Sequence, residues 1–386
     1  MDFAFSDEQQ RIREAIAKLC AGFPDEYWLK RDQASERGEE AGGFPADFHQ
    51  ALARDGWLGV AMPEEFGGAG LGIAEAAVMM QAIAESGAGF SGASAVHMNI
   101  FGLNPVVVFG TQAQKERMLP PLIKGAQRAC FAVTEPNTGL NTKKIKTKAE
   151  KRGDQYIVSG QKVWISTAQV AEKVLLLATT NNGLTLFYTA LDRRHVEVRE
   201  IDKMGRHAVD SNQVFFDALP VPEDDRIGEE GRGFEYILHG MNPERILIAA
   251  ELVGLGRCAV NRAAAYAKER IVFDRPIGQN QAIQHPLAAN WMALEAANLM
   301  AFKAASLYDG GKPCGAEANA AKYLAGEACF DACQQAVMTH GGFGYAREYH
   351  VERYLRESFV GRIAPVSREL ILCFIAERVL GLPKSY

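Results

Sequence analysis

The period of the hydrophobic pattern changes twice along this chain, and this limits the folds that the chain can adopt. Apolar residues recur at helical spacing up to about Leu119, in short β-like runs from about Phe131 to Phe216, and at helical spacing again from Gly231 onwards. Side chains repeat every ~3.6 residues in a helix and every second residue in a strand, so one pattern cannot replace the other. The sequence therefore predicts three regions in the order helical, β, helical.

Cap and turn signals place individual elements inside these regions. Ser6 followed by Gln9 is a capping-box pattern at a helix start, and a second helix is predicted over residues 73–85. In the middle region, short β-like runs lie on both sides of residues 159–160, and residues 181–183 (Asn-Asn-Gly) lie between two apolar runs, which is typical of a hairpin. Long helical segments are predicted over residues 235–270, 283–308 and 316–340.

These signals predict an α+β multidomain chain. We expect an N-terminal α-helical domain over residues 1–119, a middle β-domain over residues 120–225, and a C-terminal four-helix bundle over residues 226–386. The middle region has no crossover helices, so its strands are expected to pair antiparallel in a small barrel or sandwich.

Composition narrows the class of function. The 386 residues carry a formal net charge of −5, which argues against a basic nucleic-acid-binding protein. Charges among the first residues exclude the apolar core of a signal peptide, and Gly, Asn, His and Pro interrupt the uncharged run 86–114, so no membrane span is predicted. Seven cysteines, an odd and low number, favour reduced thiols and a cytoplasmic location.

No motif identifies a nucleotide or metal site. The chain has no Walker loop, and the glycine-rich segment 341–344 follows a helical segment, so it is either a helix-ending turn or a place of close ligand approach. The eight histidines have no metal-ligand spacing. Cys329 and Cys333 lie one helical turn apart, which favours a buried structural pair. We therefore predict no metal site.

Two further features leave two interpretations open. The basic cluster over residues 143–152 is a solvated face, which is the commoner case, or a phosphate contact. Trp164 ends a β-like run and is either a core residue or a flat wall for a planar ring.

The segment around Glu244 also has two interpretations. Asn242, Pro243 and Glu244 fit a cap and first turn at a helix start. Glu244 and Arg245 are, however, the only charges within residues 236–250. A carboxylate in such apolar surroundings is a candidate general base, because partial desolvation disfavours its charged form.

Taken together, the ordered motifs resemble those of the acyl-CoA dehydrogenase family over nearly the whole chain. They are PEEFGGAG at 63–70, VTEPNTG at 133–139, GQKVWIS at 160–166, KMG at 203–205, GEEGRGF at 228–234, RIVFDRPI at 270–277 and GGFGY at 341–345. The resemblance implies FAD bound without a dinucleotide-fold motif, usually in a homotetramer. It implies oxidation of an acyl-CoA thioester to the trans-2-enoyl-CoA: a carboxylate removes the α-proton, the β-hydride goes to flavin N5, and electrons pass to an electron-transferring flavoprotein.

The resemblance also implies the residues of the site. Those expected to bind FAD are Phe131, Val133, Thr134, Gly139, Trp164, Ile165, Ser166, Arg270, Phe273, Gln281, Met338, His340, Gly341, Gly342, Ser367 and Glu369. Those expected to contact acyl-CoA are Leu140, Asn242 and Arg245. Of these, Arg270, Phe273 and Gln281 match a segment that reaches the FAD pyrophosphate of a neighbouring subunit. Leu140 replaces a common serine, Asp274 a glycine and Met338 a glutamine.

The main departure from the family concerns the catalytic base. Many members carry a glutamate near the C-terminus, but the matching position here is Pro365. Isovaleryl-type and some long-chain members take the base from a helix, immediately before an arginine, and this position is Glu244. The resemblance therefore favours Glu244 as the base. Pro365 also has no N–H, whereas the family polarises the thioester carbonyl with a backbone N–H there.

Rival functions share the fold. An acyl-CoA oxidase or flavin monooxygenase would react with oxygen directly, and a flavin-containing nucleic-acid-associated protein would need a strongly basic C-terminal region, which this chain lacks. The acyl chain is not specified by these motifs.

Overall fold

The computed structural model describes residues 4–34 and 43–385. Within them, seven α-helices precede the strands: α1 (Asp7–Cys20), α2 (Asp25–Asp32), α3 (Ala46–Arg54), α4 (Ile73–Ile83), α5 (Gly89–Phe101), α6 (Asn104–Phe109) and α7 (Gln112–Ile123). The predicted capping box is confirmed, since Ser6 Oγ accepts from the Gln9 N–H at 3.2 Å and Gln9 Oε1 accepts from the Ser6 N–H at 3.1 Å. The helix predicted over residues 73–85 is α4, which gives way to a π-helical turn where Gly87 has φ +101°.

The middle region forms one sheet. Its strands are β1 (Ala129–Ala132), β2 (Lys148–Arg152), β3 (Gln155–Ser166), β4 (Lys173–Thr180), β5 (Gly183–Ala190), β6 (Val196–Glu200), β7 (Ser211–Pro222) and β8 (Arg226–Ile227). Their order is β6-β7-β3-β2-β4-β5-β8, with β1 beside β4. The predicted hairpin at residues 181–183 is confirmed, because Thr180 pairs with Gly183 and the turn consists of two asparagines.

The prediction of purely antiparallel pairing is wrong at β1. Residues 129–132 run parallel to residues 173–176 of β4, and one residue of β2 also pairs parallel with β4. The β2–β3 hairpin separates β1 from β4 in the sequence. After β3 the chain comes back to the level of the first residue of β1, so β4 starts beside it and runs in the same direction. The two runs beside residues 159–160 are parts of the single strand β3, which is irregular at Gly160. Gly160 has φ +152°, and a Cβ there would lie 2.6 Å from the Thr147 backbone, so glycine is required.

The C-terminal region is helical. It comprises α8 (Gly233–Glu269), the short strands β9 (Ile271–Val272) and β10 (Arg275–Pro276), α9 (Gln281–Asp309), α10 (Gly315–His340), α11 (Val351–Ser358), α12 (Val360–Ile363) and α13 (Arg368–Phe374). The three long predicted helices are confirmed as α8, α9 and α10. The interpretation of Asn242 as a helix cap is wrong, because α8 begins at Gly233 and continues through Pro243.

Two compact units are distinguished. One contains residues 1–33, 72–93 and 242–386, and the other contains residues 34–71 and 94–241. In the first unit, small residues of α8, α9 and α10 such as Ala259, Ala297 and Ala325 are fully buried, which lets these helices pack closely. In the second unit, the sheet is covered by apolar side chains on both faces, for example Leu175 on one and Val174 on the other.

Among residues 4–34 and 43–385, one helical stretch is long and apolar enough to cross a membrane, over Ile73–Phe109, and 65% of its most apolar window is buried. Burial of that kind is typical of a core helix. All seven cysteines are free thiols, and Cys329 and Cys333 are buried with their sulfur atoms 4.0 Å apart, as expected for a structural pair.

Candidate active site

The end of β1 and the loop that follows it carry the first group of predicted residues. Phe131 and Thr134 are half-buried and Val133 is buried, whereas Gly139 and Leu140 are exposed further along the loop. Leu140 is 56% exposed, so it presents an apolar side chain where the resemblance suggests a polar contact.

A buried ion pair holds the start of this loop. Lys162 Nζ donates to the Val133 carbonyl at 2.9 Å and to Glu135 Oε1 at 3.0 Å. Glu135 also accepts from the N–H groups of Lys146 at 2.6 Å and Thr147 at 2.8 Å. Burial lowers the pKa of Lys162 to about 8, although the Glu135 carboxylate opposes this shift. Sequence reasoning missed the pair, although an inward-facing lysine in a strand of alternating polarity is a detectable signal.

The end of β3 brings a second segment against this loop. The Val163 N–H donates to the Thr134 carbonyl at 2.9 Å, so the segments around Thr134 and Trp164 adjoin. Trp164 has φ +61° and is 59% exposed, whereas Ile165 beside it is 2% exposed. The core interpretation of Trp164 is therefore wrong, and an open indole face favours the wall for a planar ring.

Ser166 has a partner that sequence reasoning missed. Arg206 Nη2 donates to Ser166 Oγ at 3.0 Å and to Ser211 Oγ at 3.2 Å. Arg206 itself has φ +58°, a conformation that is uncommon outside glycine. The guanidinium therefore orients the Ser166 hydroxyl so that its proton is free to be donated elsewhere.

Glu244 lies inside α8 and is half-buried. The five residues that follow Arg245, from Ile246 to Ala250, are all buried. Arg245 Nη1 donates to Asn242 Oδ1 at 3.5 Å, and burial lowers the pKa of Arg245 while the Glu244 carboxylate opposes this shift. These residues therefore do not start a helix. Glu244 lies two positions before the first residue of the buried apolar run.

The β9–β10 hairpin carries one predicted cofactor contact, Phe273, and a second, Arg270, lies directly before it. Phe273 and Asp274 form its turn, both with positive φ, at +52° and +60°. In a two-residue hairpin turn of this kind, called type I′, both turn residues need positive φ. Glycine adopts positive φ without strain and aspartate does so more readily than most residues, so both are suited to position 274. Phe273 is 93% exposed. Arg270 precedes the hairpin, with its guanidinium carbon 5.5 Å from the Phe343 ring centre.

The end of α10 carries a further group of predicted residues. Met338 is 66% exposed, whereas His340 is buried, with Nδ1 2.7 Å from the Ala336 carbonyl and its ring stacked on Tyr266. Gly341 ends the helix with φ +61°, which confirms the helix-ending turn. A Cβ on Gly341 or Gly342 would meet nothing within 4 Å, so a ligand can also approach this backbone closely.

The last predicted residues lie at helix starts. Ser367 caps α13, because its Oγ accepts from the Leu370 N–H at 3.3 Å, and the Glu369 side chain is 72% exposed. Gln281 is exposed and is the first residue of α9. The basic cluster is a solvated face: Lys148 and Arg152 pair with Glu150, and Lys151 pairs with Glu223.

The chain's residues fit a flavin on two observations. The exposed indole of Trp164 provides a flat apolar surface that water solvates poorly. In the unit that contains residues 242–386, the open backbone faces of Gly341 and Gly342 allow close approach by a large polar group. Among residues 4–34 and 43–385, no three His, Cys, Asp or Glu side chains are grouped to hold a metal ion.

Comparison with known proteins agrees with this arrangement. Family models for the N-terminal, middle and C-terminal domains of acyl-CoA dehydrogenase match residues 6–126, 130–219 and 231–380. The chain is 38% identical over 400 residues to the acyl-CoA dehydrogenase FadE12 of Mycobacterium tuberculosis, covering 100% of this chain and 99% of that protein. It is 31% identical over 362 residues to the caffeyl-CoA reductase-Etf complex subunit CarC of Acetobacterium woodii, covering 92% and 93%.

A solved structure gives the same result. Butyryl-CoA dehydrogenase from Megasphaera elsdenii superimposes with a TM-score of 0.92 at 28% identity, covering 98% of this chain and 100% of that chain. Fold and site thus define an FAD-dependent oxidoreductase with N-terminal helices, a middle β-domain and a C-terminal helical domain. The chain belongs to the acyl-CoA dehydrogenase family. Its activity is FAD-dependent dehydrogenation of an acyl-CoA.

Proposed function

We propose that this enzyme converts an acyl-CoA thioester to its trans-2-enoyl-CoA with Glu244 as the base. The carrying observation is the position of Glu244: a half-buried carboxylate inside α8, next to Arg245 and before five buried apolar residues. The turn over residues 363–366, where many relatives carry the base, contains no carboxylate. Glu244 takes up the proton as the α C–H bond breaks, and the electron pair of that bond forms the double bond.

The β-hydrogen leaves with its electron pair, and acceptance of this hydride is the chemistry that FAD supplies when bound. The chain's own task is to orient the thioester and to exclude water. Trp164 offers a stacking face, the Arg206-bound hydroxyl of Ser166 offers a donor, and Asn242 and Arg245 offer polar contacts to the CoA portion. We also propose that the residues predicted from the sequence to bind FAD do bind it.

We further propose that the chain assembles as a homotetramer or at least a dimer. Ile271 is 54% exposed and Phe273 93% exposed, so the β9–β10 hairpin presents apolar surface that another subunit can cover. Arg270, at the base of the hairpin, is exposed and can serve as a bidentate partner of a pyrophosphate.

For the electron acceptor we propose an electron-transferring flavoprotein, because the similar protein CarC is named as part of an Etf complex. A cytoplasmic location is proposed from the free thiols.

Anaerobic addition of straight and branched acyl-CoAs to the purified enzyme tests the function. At least one acyl-CoA should bleach the flavin absorbance and yield the trans-2-enoyl-CoA, detected by mass spectrometry. Reduced enzyme that is reoxidised rapidly by air, and slowly by an electron-transferring flavoprotein, would indicate an oxidase or monooxygenase instead. An enzyme that no acyl-CoA bleaches would contradict the proposed reaction.

A further inference from the structure

The segment over residues 164–169, at the end of β3, has an unusual backbone conformation. Trp164 and Thr167 both have φ +61°. A positive φ is a genuine outlier for bulky or β-branched residues such as these, and it persists only where surrounding groups enforce it. Trp164 also lies in a β-bulge, because residues 163 and 164 together oppose the single residue Gln213 of β7. Groups outside the segment must therefore hold it in this conformation.

Asp210, directly before β7, contacts this segment at two points. Asp210 is 1% exposed. Its carbonyl accepts from the Thr167 N–H at 3.2 Å, and its Oδ2 accepts from the Gln169 N–H at 3.0 Å. Hydrogen bonds to an ionised group are roughly twice as strong as those between neutral groups. A single buried aspartate thus restrains the second half of the segment, including one of its two residues with positive φ.

Asn212 extends this restraint to the first half of the segment. Its side chain is fully buried. Its Nδ2 donates to the Asp210 carboxylate and, at 2.8 Å, to the Ile165 carbonyl, while its Oδ1 accepts from Gln169 Nε2 at 3.0 Å. A rotated amide would turn its oxygen towards two acceptors, so the Asp210 carboxylate fixes the orientation of Asn212. We call these two residues the Asp210–Asn212 clamp.

The clamp contains a buried charge. Burying a carboxylate costs free energy unless it is paired and hydrogen-bonded. Burial lowers the pKa of Lys203 to about 8, and the Asp210 charge is among those that oppose this shift, so the two groups attract each other. Asp210 Oδ1 has no hydrogen-bond partner within the part of the chain that the structure describes. Only one oxygen of the carboxylate therefore takes part in the clamp.

We propose that Asp210 is a positioning residue for the cofactor site: with Asn212, its carboxylate holds the segment 164–169 in its strained conformation. Two features depend on that conformation, the exposed indole of Trp164 and the placement of the Ser166 hydroxyl. A preformed surface binds a ligand more tightly than one that must first be ordered. This inference rests on the proposed function, in which both residues meet FAD. No covalent step is involved.

Fluorine NMR of the full chain labelled with 5-fluorotryptophan observes the indole directly and needs no bound FAD. The chain has four tryptophans, and Trp164→Phe assigns the resonance of interest. Asp210→Ser removes the carboxylate, whereas Asp210→Asn removes only the charge and keeps one acceptor oxygen. Asp225→Ser is the matched control, because Asp225 is 4% exposed, belongs to the same unit and pairs with Arg117 instead.

The parent and Asp225→Ser should each give one sharp Trp164 resonance. In Asp210→Ser this resonance should split or broaden, because the segment can leave its strained conformation. Asp210→Asn should show the same change to a smaller extent, since neutral hydrogen bonds are weaker. FAD binding should weaken at least ~5-fold in Asp210→Ser, because binding must then re-impose at least one strained residue. The FAD affinity of Asp225→Ser should stay close to that of the parent.

A sharp, parental Trp164 resonance in Asp210→Asn would overturn the proposal, and this variant decides alone should Asp210→Ser not fold. Equal broadening in Asp225→Ser would also overturn it, because the effect would then be a general loss of stability.

The FAD affinity of Trp164→Ala separates this inference from the proposed function. Parental affinity in Trp164→Ala would show that Trp164 does not meet FAD, and this inference would fall with that part of the proposed function. Weaker FAD binding by Trp164→Ala together with parental binding by the Asp210 variants would overturn this inference alone.

Discussion

The Lys162–Glu135 ion pair should control the stability of the loop over residues 133–147. Lys162→Met leaves the Glu135 carboxylate without its cation and removes the donation to the Val133 carbonyl. The two side chains are only 0% and 7% exposed, so water cannot replace the ammonium. Breaking a buried pair by removing one partner typically costs ~3–5 kcal/mol.

Native-state hydrogen exchange measures this cost locally. Since ~1.4 kcal/mol corresponds to a factor of ten, peptides from residues 133–147 of FAD-loaded Lys162→Met should exchange between ~10²-fold and ~4 × 10³-fold faster than those of the parent. Adding Glu135→Gln should recover part of this loss, because the double variant contains no unpaired buried charge.

Lys148→Met is the matched control for this measurement. Lys148 pairs with Glu150 at the surface, where the side chains are 60% and 46% exposed. Such pairs contribute ~1 kcal/mol or less, so exchange should change little. Exchange in Lys162→Met that is no faster than in Lys148→Met would refute the reasoning.

Three further predictions concern the cofactor, the assembly and the pH dependence. Arg270→Ala should release FAD ~10-fold faster or more, since hydrogen bonds to charged groups contribute ~1.5–3 kcal/mol; equal retention in Arg270→Ala and the matched variant Arg275→Ala would contradict its assignment. The parent should sediment as a tetramer or dimer and Phe273→Ser as a smaller species, whereas a monomeric parent with full FAD content would exclude the proposed assembly. Because the pKa of Lys162 is about 8 in the folded protein against an ordinary 10.5, the folded state binds fewer protons than the unfolded state between these values. The free energy of unfolding of the parent should therefore rise relative to Lys162→Met across that pH window in denaturant titrations, and a constant difference would show that Lys162 does not titrate there.

Local signals predicted the elements well because each of them is complete within a few residues. The Ser6–Gln9 capping box is complete within four consecutive residues, and the hairpin after Thr180 needs only its turn residues. The three long C-terminal helices follow from hydrophobic spacing over more than twenty residues each. The same local rules failed at Asn242. They indicate a helix start before Pro243, but α8 begins nine residues before Asn242 and continues through the proline.

Tertiary features could not be predicted in this way. The parallel pairing of β1 with β4 depends on the path of the forty residues between them. The Val366 carbonyl meets Lys322 across 44 positions of the sequence, and the two residues lie on no common motif. Trp164 was ambiguous because its residue type suits both a core and a ligand wall, and only its 59% exposure decides between them.

The rate of flavin reduction by Glu244→Gln tests the central claim most directly. Glu235→Gln is the control, because Glu235 lies on the same helix but is 58% exposed and pairs with Arg232 at the surface. Both variants are loaded with FAD and mixed rapidly with acyl-CoA without oxygen, so that reduction is observed apart from reoxidation. Removal of a general base typically slows reaction ~10²–10⁴-fold. Glu244→Gln should bind FAD and acyl-CoA normally but lose the rate by that factor, while Glu235→Gln keeps it; bleaching of Glu244→Gln at the parental rate would show that another group removes the proton.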